Sequence, residues 1–286
     1  MNQLQLLGAI EIGLIYSLVA IGVYITFKII DFPDLTVDGS FTLGAAVSSS
    51  LIASGHDPYT STIFAIFAGS IAGFITGFLH VKWKILGLLA GILTMSALYS
   101  INLRVMGRPN IALIDGDTLF GNNSVILITL GIIIFVIILL SRFFASEFGL
   151  GCRAVGINPD VSSAYGIRVG GMKIFALALS NSIVAFGGAL FAESQGFADI
   201  SMGTGTIIIG LASVIIGDAI VHPKRIVIAL IACSIGSIVY RIVVAFALNA
   251  HDIGLEASDL NLITALLVST TMVATRYNKK TSERKI

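Results

Sequence analysis

Long apolar stretches separated by short polar segments run through the whole chain. Nine stretches follow one another, at approximately residues 6–30, 39–54, 60–79, 85–101, 123–141, 173–191, 203–220, 226–248 and 260–275. A membrane-spanning helix needs about 20 mainly apolar residues, and backbone polar groups in a bilayer must be satisfied inside the protein. The pattern therefore predicts an all-α polytopic membrane protein. Because the stretches at 39–54 and 203–220 are short or rich in glycine, we expect them to be broken or re-entrant.

The composition agrees with this class. Of the 286 residues, 56% are hydrophobic and 12% are charged, whereas soluble domains are about one quarter charged. The N-terminal segment has neither a basic region nor a small-residue cleavage site, which predicts a first membrane helix rather than a signal peptide. A net charge of +1 gives no indication of a nucleic-acid partner. Cys152 and Cys233 lie in a loop and in a predicted helix, so no disulfide is expected.

The distribution of Lys and Arg predicts the orientation in the membrane. The tail at 276–286 carries five basic residues and is expected to be cytoplasmic. Counting back through the spans places the segments 80–84, 142–172 and 221–225 on the same side. The opposite side receives acidic or neutral loops at 55–60, 102–122, 193–199 and 251–259. Nine crossings then place the N-terminus outside.

The chain resembles itself at a constant offset of 165 residues. The segment "SLVAIGVYITFKIIDFPDLTV" (17–37) aligns with "SIVAFGGALFAESQGFADISM" (182–202). Alanine and glycine are common in membrane helices and produce some chance similarity, but the shared Phe-x-Asp is harder to obtain by chance. The repeat predicts two halves, 13–101 and 178–274, within one permease-like domain. Since an odd number of spans separates their starts, the halves have inverted topology, as in many transporters.

Two matched interruptions in the apolar pattern carry the candidate solute contacts. They are "DFPDLTVDGS" (31–40) and "ESQGFADISMGTG" (193–205). An uncompensated charge at membrane depth costs about 2.5–3.5 kcal/mol on insertion scales, so we expect these carboxylates to have a structural or functional role. One interpretation is a polar lining of the translocation path; the other is capping of helix starts by the aspartates. The candidates for the path are Asp34, Thr36, Asp38, Asn181, Glu193 and Asp199.

Other polar and small residues within the spans suggest packing roles. Asn181 and Ser180 could bond to a neighbouring helix, the alternative for Asn181 being a solute contact. Gly69, Gly73 and Gly77 form a small-residue stripe that favours close packing within the chain over a dimer seam. Arg241 is either paired or lines water.

No motif for catalysis or for a bound cofactor is present. The histidines are scattered over several loops, which argues against a metal site. There is no phosphate-binding G-x-x-x-x-G-K-[ST] loop, no H-E-x-x-H and no G-x-S-x-G. The sequence therefore predicts no catalytic residue, no metal site and no ATPase activity of its own.

A short helix is predicted within the polar segment between the fifth and sixth spans. Asn158 can cap its start, Pro159 suits the first helical position, Asp160 favours the helix dipole, and Gly166 can end it. Two turns are too short to be stable alone. A capped helix of this kind suits docking into a groove of a partner, although an ordinary structured loop is the alternative.

The segment "GLGCRAVGINPDVSSAYGI" (149–167) resembles the cytoplasmic coupling segment of ABC-transporter permeases of the branched-chain amino acid and ribose type. Their pattern is roughly R-A-x-G-x-N-x-x-x-A-x-x-x-G-I, in which the central alanine is replaced here. Its coupling residues correspond to Arg153, Ala154, Gly156, Asn158, Pro159, Asp160, Ser163, Gly166 and Ile167. The segment "DFPDLTVDGSF" (31–41) further resembles a subgroup that is often associated with aromatic amino acids.

The resemblance implies a permease subunit of the type II importer fold in a bacterial cytoplasmic membrane. Two permease subunits would form the path for a small solute such as an aromatic or branched-chain amino acid. A homodimer is expected, because the chain contains both halves, and a paired second permease is the alternative. An extracytoplasmic binding protein would deliver the solute, and cytosolic ATPases would bind ATP and Mg²⁺. The competing interpretation is a secondary transporter driven by an ion gradient, with Glu11, Asp34 or Asp38 as the proton or cation site.

Overall fold

The structure is a computed structural model that describes residues 3–113, 118–121, 124–248 and 269–270. Ten helices and two short strands are defined in these ranges. The helices are α1 (Gln3–Tyr24), α2 (Thr36–Ala53), α3 (Pro58–Trp83), α4 (Gly87–Met106), α5 (Val125–Ala145), α6 (Glu147–Ile157), α7 (Pro159–Ala164), α8 (Val169–Gln195), α9 (Thr206–Val221) and α10 (Ile226–Leu248). A π-helical turn, Ile25–Ile29, extends α1. The strands β1 (Asn110–Ala112) and β2 (Phe197–Asp199) pair antiparallel.

Six of the described helices are long and apolar enough to cross a membrane. They are α1 with its π-helical turn, α3, α4, α5, α8 and α10. The predicted all-α polytopic class is therefore confirmed. The count of nine segments is not confirmed, because the stretch at 260–275 falls outside the described residues except for 269–270, as does the whole tail at 276–286.

The two segments that were expected to be broken are continuous helices. Helix α2 has 18 residues and α9 has 16, which at 1.5 Å per residue gives about 27 and 24 Å, less than the roughly 30 Å hydrocarbon core. The interruptions lie before each helix, at 30–35 and 196–205. Most of α2 is buried, so neighbouring helices surround a segment too polar to face lipid.

The helix contacts show a symmetric pattern between α1–α3 and α8–α10. Helix α3 packs along α8, and α10 packs along α1. In the same way α2 contacts α8, and α9 contacts α1. Exchanging α1–α3 for α8–α10 therefore reproduces the contact pattern, which is what a repeat of three equivalent helices would give.

The glycine stripe on α3 packs against α8, as predicted for contact within the chain. A Cβ on Gly69 would lie 2.4 Å from the Asn181 carbonyl oxygen, and one on Gly73 would lie 2.2 Å from the Leu177 carbonyl oxygen. Backbone contact at this distance leaves no room for a side chain. The stripe therefore fixes α3 on α8 and is not available as a dimer seam.

Loops that were predicted to share one side of the membrane also meet in the structure. On one end Gly170 contacts Val81, and a polar cavity joins Arg153 to Lys224. On the other end β1 pairs with β2, and the Leu119 backbone N–H donates to Glu193. We call these the basic end and the acidic end.

Candidate functional site

The segment between α5 and α8 forms two short helices at the basic end. Ser146 caps α6, accepting from the Gly149 N–H at 3.3 Å. Asn158 ends α6 and caps α7, since its Oδ1 accepts from the N–H groups of Asp160 and Val161, both at 3.1 Å. Pro159 is the first residue of α7. The capped helix predicted after Asn158 is thus confirmed, whereas α6 was missed.

Gly166 ends this segment as predicted. Its φ is +83°, in the left-handed region that favours glycine, and its N–H donates to the Ser163 carbonyl at 2.9 Å. Ile167 then donates to the Ser162 carbonyl at 3.0 Å. This closing turn allows the chain to leave α7 and start α8 at Val169.

Apolar side chains of this segment face outward. Ile157 is 86% exposed, Tyr165 is 83% exposed and Val161 is 50% exposed. Val161 and Tyr165 are four residues apart on α7 and its C-cap, so they lie on one side of that helix. Ile157 belongs to α6, which the extended backbone of Asn158 separates from α7, and Ser162 is buried and donates to the Asn158 carbonyl. We call Ile157, Val161 and Tyr165 the outer row. Such a row on so short a helix is typical of a surface that a partner covers.

A groove opens beside the outer row, between α6 and the start of α8. Its volume is about 900 Å³. Three of the predicted coupling residues, Ala154, Gly166 and Ile167, line it, whereas Arg153 lines the neighbouring polar cavity with Gly156. Pro159, Asp160 and Ser163 are exposed on α7. The predicted coupling residues therefore lie along the α6–α7 segment and the following turn, where they line two different cavities or are exposed on α7.

Gly156 allows α6 to pack directly against the end of α1. A Cβ at this position would lie 1.8 Å from the Ile29 carbonyl oxygen and 3.0 Å from Ile30 Cα. The contacted residues end the π-helical turn of α1, and Asp31 follows with φ +50°. Lys28 in the same turn pairs with Asp218 at the end of α9, at 2.7 Å. The end of α1 is thus held between α6 and α9.

Asp34 links the first interruption to α8. Its Oδ1 accepts from the Thr36 N–H at 2.9 Å, and its Oδ2 accepts from Asn181 Nδ2 at 2.7 Å. Thr36 Oγ1 lies 2.7 Å from Thr76 Oγ1 on α3. These side chains are almost fully buried, so they form a polar contact among α2, α3 and α8.

Asp38, in the first turn of α2, caps the start of α9. Its carboxylate accepts from the Gly205 N–H at 3.0 Å and from the Ile207 N–H at 2.7 Å. Thr42 adds a third contact, since its Oγ1 accepts from the Gly203 N–H at 3.1 Å. Both Asp34 and Asp38 therefore cap helix starts, as one of the two interpretations predicts.

Glu193 joins four segments near the acidic end. Its Oε1 accepts from Ser48 Oγ at 2.7 Å and from Thr62 Oγ1 at 2.9 Å. Its Oε2 accepts from the Leu119 N–H at 2.9 Å. Because Glu193 is 12 residues from Asn181 on α8, the Glu193 and Asp34 clusters are about 18 Å apart along the helix. The predicted path residues do not form a single site.

Asp199 differs from its repeat partner Asp34 in its surroundings. It accepts from the Ser201 N–H at 2.8 Å and from Ser201 Oγ, in the turn after β2. These hydrogen bonds lower the pKa of Asp199 below the ordinary 3.8. Its other partner, Asn110 Nδ2, lies 3.4 Å away. Asp199 therefore belongs to the surface of the acidic end and not to the buried interior.

The remaining polar candidates have packing roles. Ser180 Oγ donates to the Gly22 carbonyl at 2.7 Å, which is the predicted bond to a neighbouring helix. The Arg241 guanidinium lies 4.1 Å from the centre of the Tyr16 ring, a cation–π contact. Both cysteines are free and buried, and the described residues contain no cluster suited to a metal ion.

Sequence reasoning missed the partners on α3. Thr62 and Thr76 lie on the same buried face as the glycine stripe, and their helical spacing relative to Gly69 is a signal that could have identified them. Ser48 and Asn102 had no such signal, since each is one of several polar residues within an apolar stretch.

Comparison with known proteins gives consistent relatives over nearly the whole chain. The tyrosine transport system permease protein of Clostridioides difficile (strain R20291) is 40% identical over 95% of this chain and 92% of its own length. An uncharacterised protein of Rickettsia prowazekii (strain Madrid E) is 37% identical over 92% of this chain and 95% of that protein. The autoinducer 2 import system permease protein LsrC of Escherichia coli O9:H4 (strain HS) is 25% identical over 64% of this chain and 55% of its own length.

A solved structure and a family profile agree with these relatives. PsaBC from Streptococcus pneumoniae, in complex with Fab, has the same fold, with a TM-score of 0.53 at 14% identity over 93% of this chain and 89% of that chain. Residues 5–274 match the family described as the permease component of branched-chain amino acid transport systems. The chain therefore belongs to this family of ABC-transporter permeases.

Proposed function

We propose that this chain forms the translocation path of an ABC importer for an amino acid, and that separate cytosolic ATPase subunits drive it through the α6–α7 segment. The observation that carries this proposal is the backbone contact between Gly156 and Ile29. It connects a surface with an exposed apolar row to the end of α1, from which the chain enters the buried interruption at Asp34.

The outer row and the adjacent groove support an ATPase as the occupant of this surface. A partner that inserts apolar side chains beside Ala154 and Ile167 would bury the outer row. Movement of that partner would displace α6, and the contact at Gly156 would pass the displacement to the end of α1. The hydrogen bond between Asn181 and Asp34 would then couple α1, α2 and α8.

The substrate proposal is an aromatic or branched-chain amino acid. The 40% identical relative is described as a tyrosine transport permease, and the segment at 31–41 carries the motif associated with aromatic amino acids. An extracytoplasmic binding protein would deliver the solute to the acidic end. Thermal-shift measurements on that binding protein, with amino acids compared against sugars and nucleosides, test the substrate class; stabilisation by sugars or nucleosides alone would contradict it.

The proposed assembly contains two copies of this chain in the bacterial cytoplasmic membrane, with the C-terminus in the cytoplasm. Both halves of the predicted repeat are present in one chain, so a second copy completes the assembly without a different permease. ATP and Mg²⁺ would bind to the ATPase subunits, and this chain would hold no cofactor.

Co-purification with the ATPase tests the proposed coupling surface. We expect the complex to survive purification with the native chain and to be lost when Val161 and Tyr165 are both replaced by serine. A double serine variant of Ile134 and Ile138 on α5, which are also exposed, is the matched control. An ATPase that remains bound to the outer-row variant would contradict the proposal.

The energy source separates this proposal from an ion-driven transporter. In proteoliposomes that contain the complete system, uptake should require ATP on the ATPase side and should persist after the proton gradient is collapsed. Uptake that persists without ATP but disappears with the gradient would favour Glu11, Asp34 or Asp38 as ion sites instead.

A further inference from the structure

A polar cavity lies where the start of α2 meets α4 and the segment before α9. Its volume is about 240 Å³. Helix α2 contributes Asp38 and Thr42, helix α4 contributes Tyr99 and Asn102, and the segment before α9 contributes Thr204. The cavity is therefore built from both halves of the chain, at the two interruptions that the sequence singled out.

Asn102, which lines this cavity, carries a buried acceptor that is unpaired within the described residues. The residue is 1% exposed, and its Nδ2 donates to the Gly39 carbonyl at 3.2 Å. Because a carbonyl can only accept, this bond fixes which end of the amide carries the nitrogen. Asn102 Oδ1 is buried and has no hydrogen-bond partner within the described residues. A buried acceptor without a donor is energetically unfavourable, and a bound donor group would satisfy it.

Asp38 supplies negative charge to the same cavity. Its two backbone donors come from the start of α9, and no Lys or Arg of the described ranges lies within ion-pair distance of it. A carboxylate oxygen can accept a further hydrogen bond. The cavity thus combines a carboxylate, an unpaired amide oxygen and hydroxyl groups, and it has no cationic side chain in its lining.

We propose that this cavity receives the ammonium group of the transported amino acid, with Asn102 Oδ1 accepting its hydrogen bond and Asp38 attracting its charge. The identity of the cation as an amino acid rests on the proposed function. A substrate carboxylate would face the Asp38 carboxylate and the Asn102 Oδ1 acceptor here, so the ammonium end is the one that enters. The volume lies below the roughly 300–1,000 Å³ of ordinary ligand pockets, which suits the head group rather than a whole aromatic amino acid.

The construction of the cavity makes it sensitive to movement of the two halves. Gly203 packs so closely that a Cβ there would lie 2.1 Å from the Asp38 carbonyl oxygen. Displacing the segment before α9 from α2 would therefore change the wall of the cavity and the hydrogen bond between Gly203 and Thr42. A cation bound by Asn102 and Asp38 would lose its contact with the segment before α9 when the two halves separate.

Thiol reactivity tests the proposal without any other subunit. Ser96 lines the cavity and is exposed, so the Ser96→Cys variant of the full chain in detergent reports on it. The probes are 2-aminoethyl methanethiosulfonate, a cation, and 2-sulfonatoethyl methanethiosulfonate, an anion. We expect the ratio of their rates to be about 10-fold higher at position 96 than in a Ser54→Cys control at an exposed helix end.

Two substitutions of Asn102 should move this ratio in opposite directions. In the Ser96→Cys background, Asn102→Asp should raise the ratio about threefold or more, and Asn102→Leu should lower it about threefold. Equal ratios at positions 96 and 54, or a ratio that Asn102→Leu leaves unchanged, would overturn the proposal. Because the assay needs no ATPase, binding protein or ATP, failure of the proposed function would leave its result unchanged.

Discussion

Backbone N–H groups and neutral polar side chains, and not cations, satisfy the buried carboxylates in the described part of the chain. Asp34 accepts from Thr36, Asp38 from Gly205 and Ile207, and Glu193 from Leu119. The donors to Asp34 and Asp38 lie at helix starts, which carry unpaired N–H groups and a partial positive charge and can hold a carboxylate without a lysine or arginine. Leu119, the donor to Glu193, lies in a turn. This explains how a chain with so few charges tolerates acidic residues at its interruptions.

Replacing Asp38 by asparagine should destabilise the fold. One carboxylate oxygen becomes an amide nitrogen that faces a backbone N–H, which removes one cap bond and leaves a donor unpaired. We expect a loss of about 1–3 kcal/mol in the free energy of unfolding, seen as a lower Tm in detergent. Asp57→Asn is the control, because Asp57 caps the exposed start of α3. Equal Tm values for the two variants would contradict the assignment.

The lowered pKa of Asp199 predicts that part of the stability of the folded protein is lost at acidic pH. Hydrogen bonds from Ser201 keep the folded-state pKa below 3.8, so their stabilisation is present above the unfolded pKa and is lost as pH falls through the folded one. Asp199→Asn should therefore lower Tm at neutral pH, and its difference from the native protein should shrink as pH falls through the folded-state pKa. A difference that grows on acidification would contradict this assignment.

Cys152 should resist thiol reagents in the folded protein. Burial in α6 raises the pKa of its thiol to about 11, so almost no thiolate is present at neutral pH. Maleimide should label it only after denaturation, whereas a Ser163→Cys variant on the exposed side of α7 should be labelled quickly. Rapid labelling of native Cys152, measured by mass spectrometry, would show that α6 does not pack as described.

At the scale of elements, the close seat of α6 on α1 depends on one glycine. Gly156→Ala would place a Cβ 1.8 Å from a backbone oxygen, and overpacking of this kind costs about 1–3 kcal/mol. We expect a lower Tm and weaker stimulation of ATPase activity by substrate-loaded binding protein in the complex. The control is Gly151→Ala, whose Cβ would meet only the flexible end of Met172 at 3.2 Å.

The two outcomes of that comparison are distinct. Displacement of α6 should impair Gly156→Ala far more than Gly151→Ala. Similar Tm and ATPase values for both variants would mean that the contact between α6 and α1 does not transmit movement of the ATPase to the permease.

Local signals predicted some elements and not others. The Asn158-Pro159 start and the Gly166 end of α7 could be read from the sequence, because capping depends on neighbouring residues. The Asn181–Asp34 bond and the partners of Glu193 could not, because they join residues more than 100 positions apart. The continuity of α2 was also missed, since only burial among other helices permits so polar a segment.

At the scale of the molecule, the proposed coupling surface lies at one end of the chain and the polar cavity lies between α2, α4 and the segment before α9. The outer row lies on α6–α7, the seat at Gly156 reaches α1, and the interruptions before α2 and α9 follow. Helix exchange between the halves, α3 on α8 and α10 on α1, means that displacing α1 shifts contacts in both. This arrangement suits alternating access driven from the basic end.

ATP-driven uptake by the outer-row variant tests the central claim most directly. The complete transporter in proteoliposomes, with this chain carrying Val161→Ser and Tyr165→Ser, should retain the native Tm of the permease and lose at least about 10-fold in initial uptake rate, which corresponds to about 1.4 kcal/mol. The Ile134→Ser and Ile138→Ser control should transport at the native rate. Native uptake by the outer-row variant would contradict the account, because the ATPase would then drive the permease through a surface other than the α6–α7 segment.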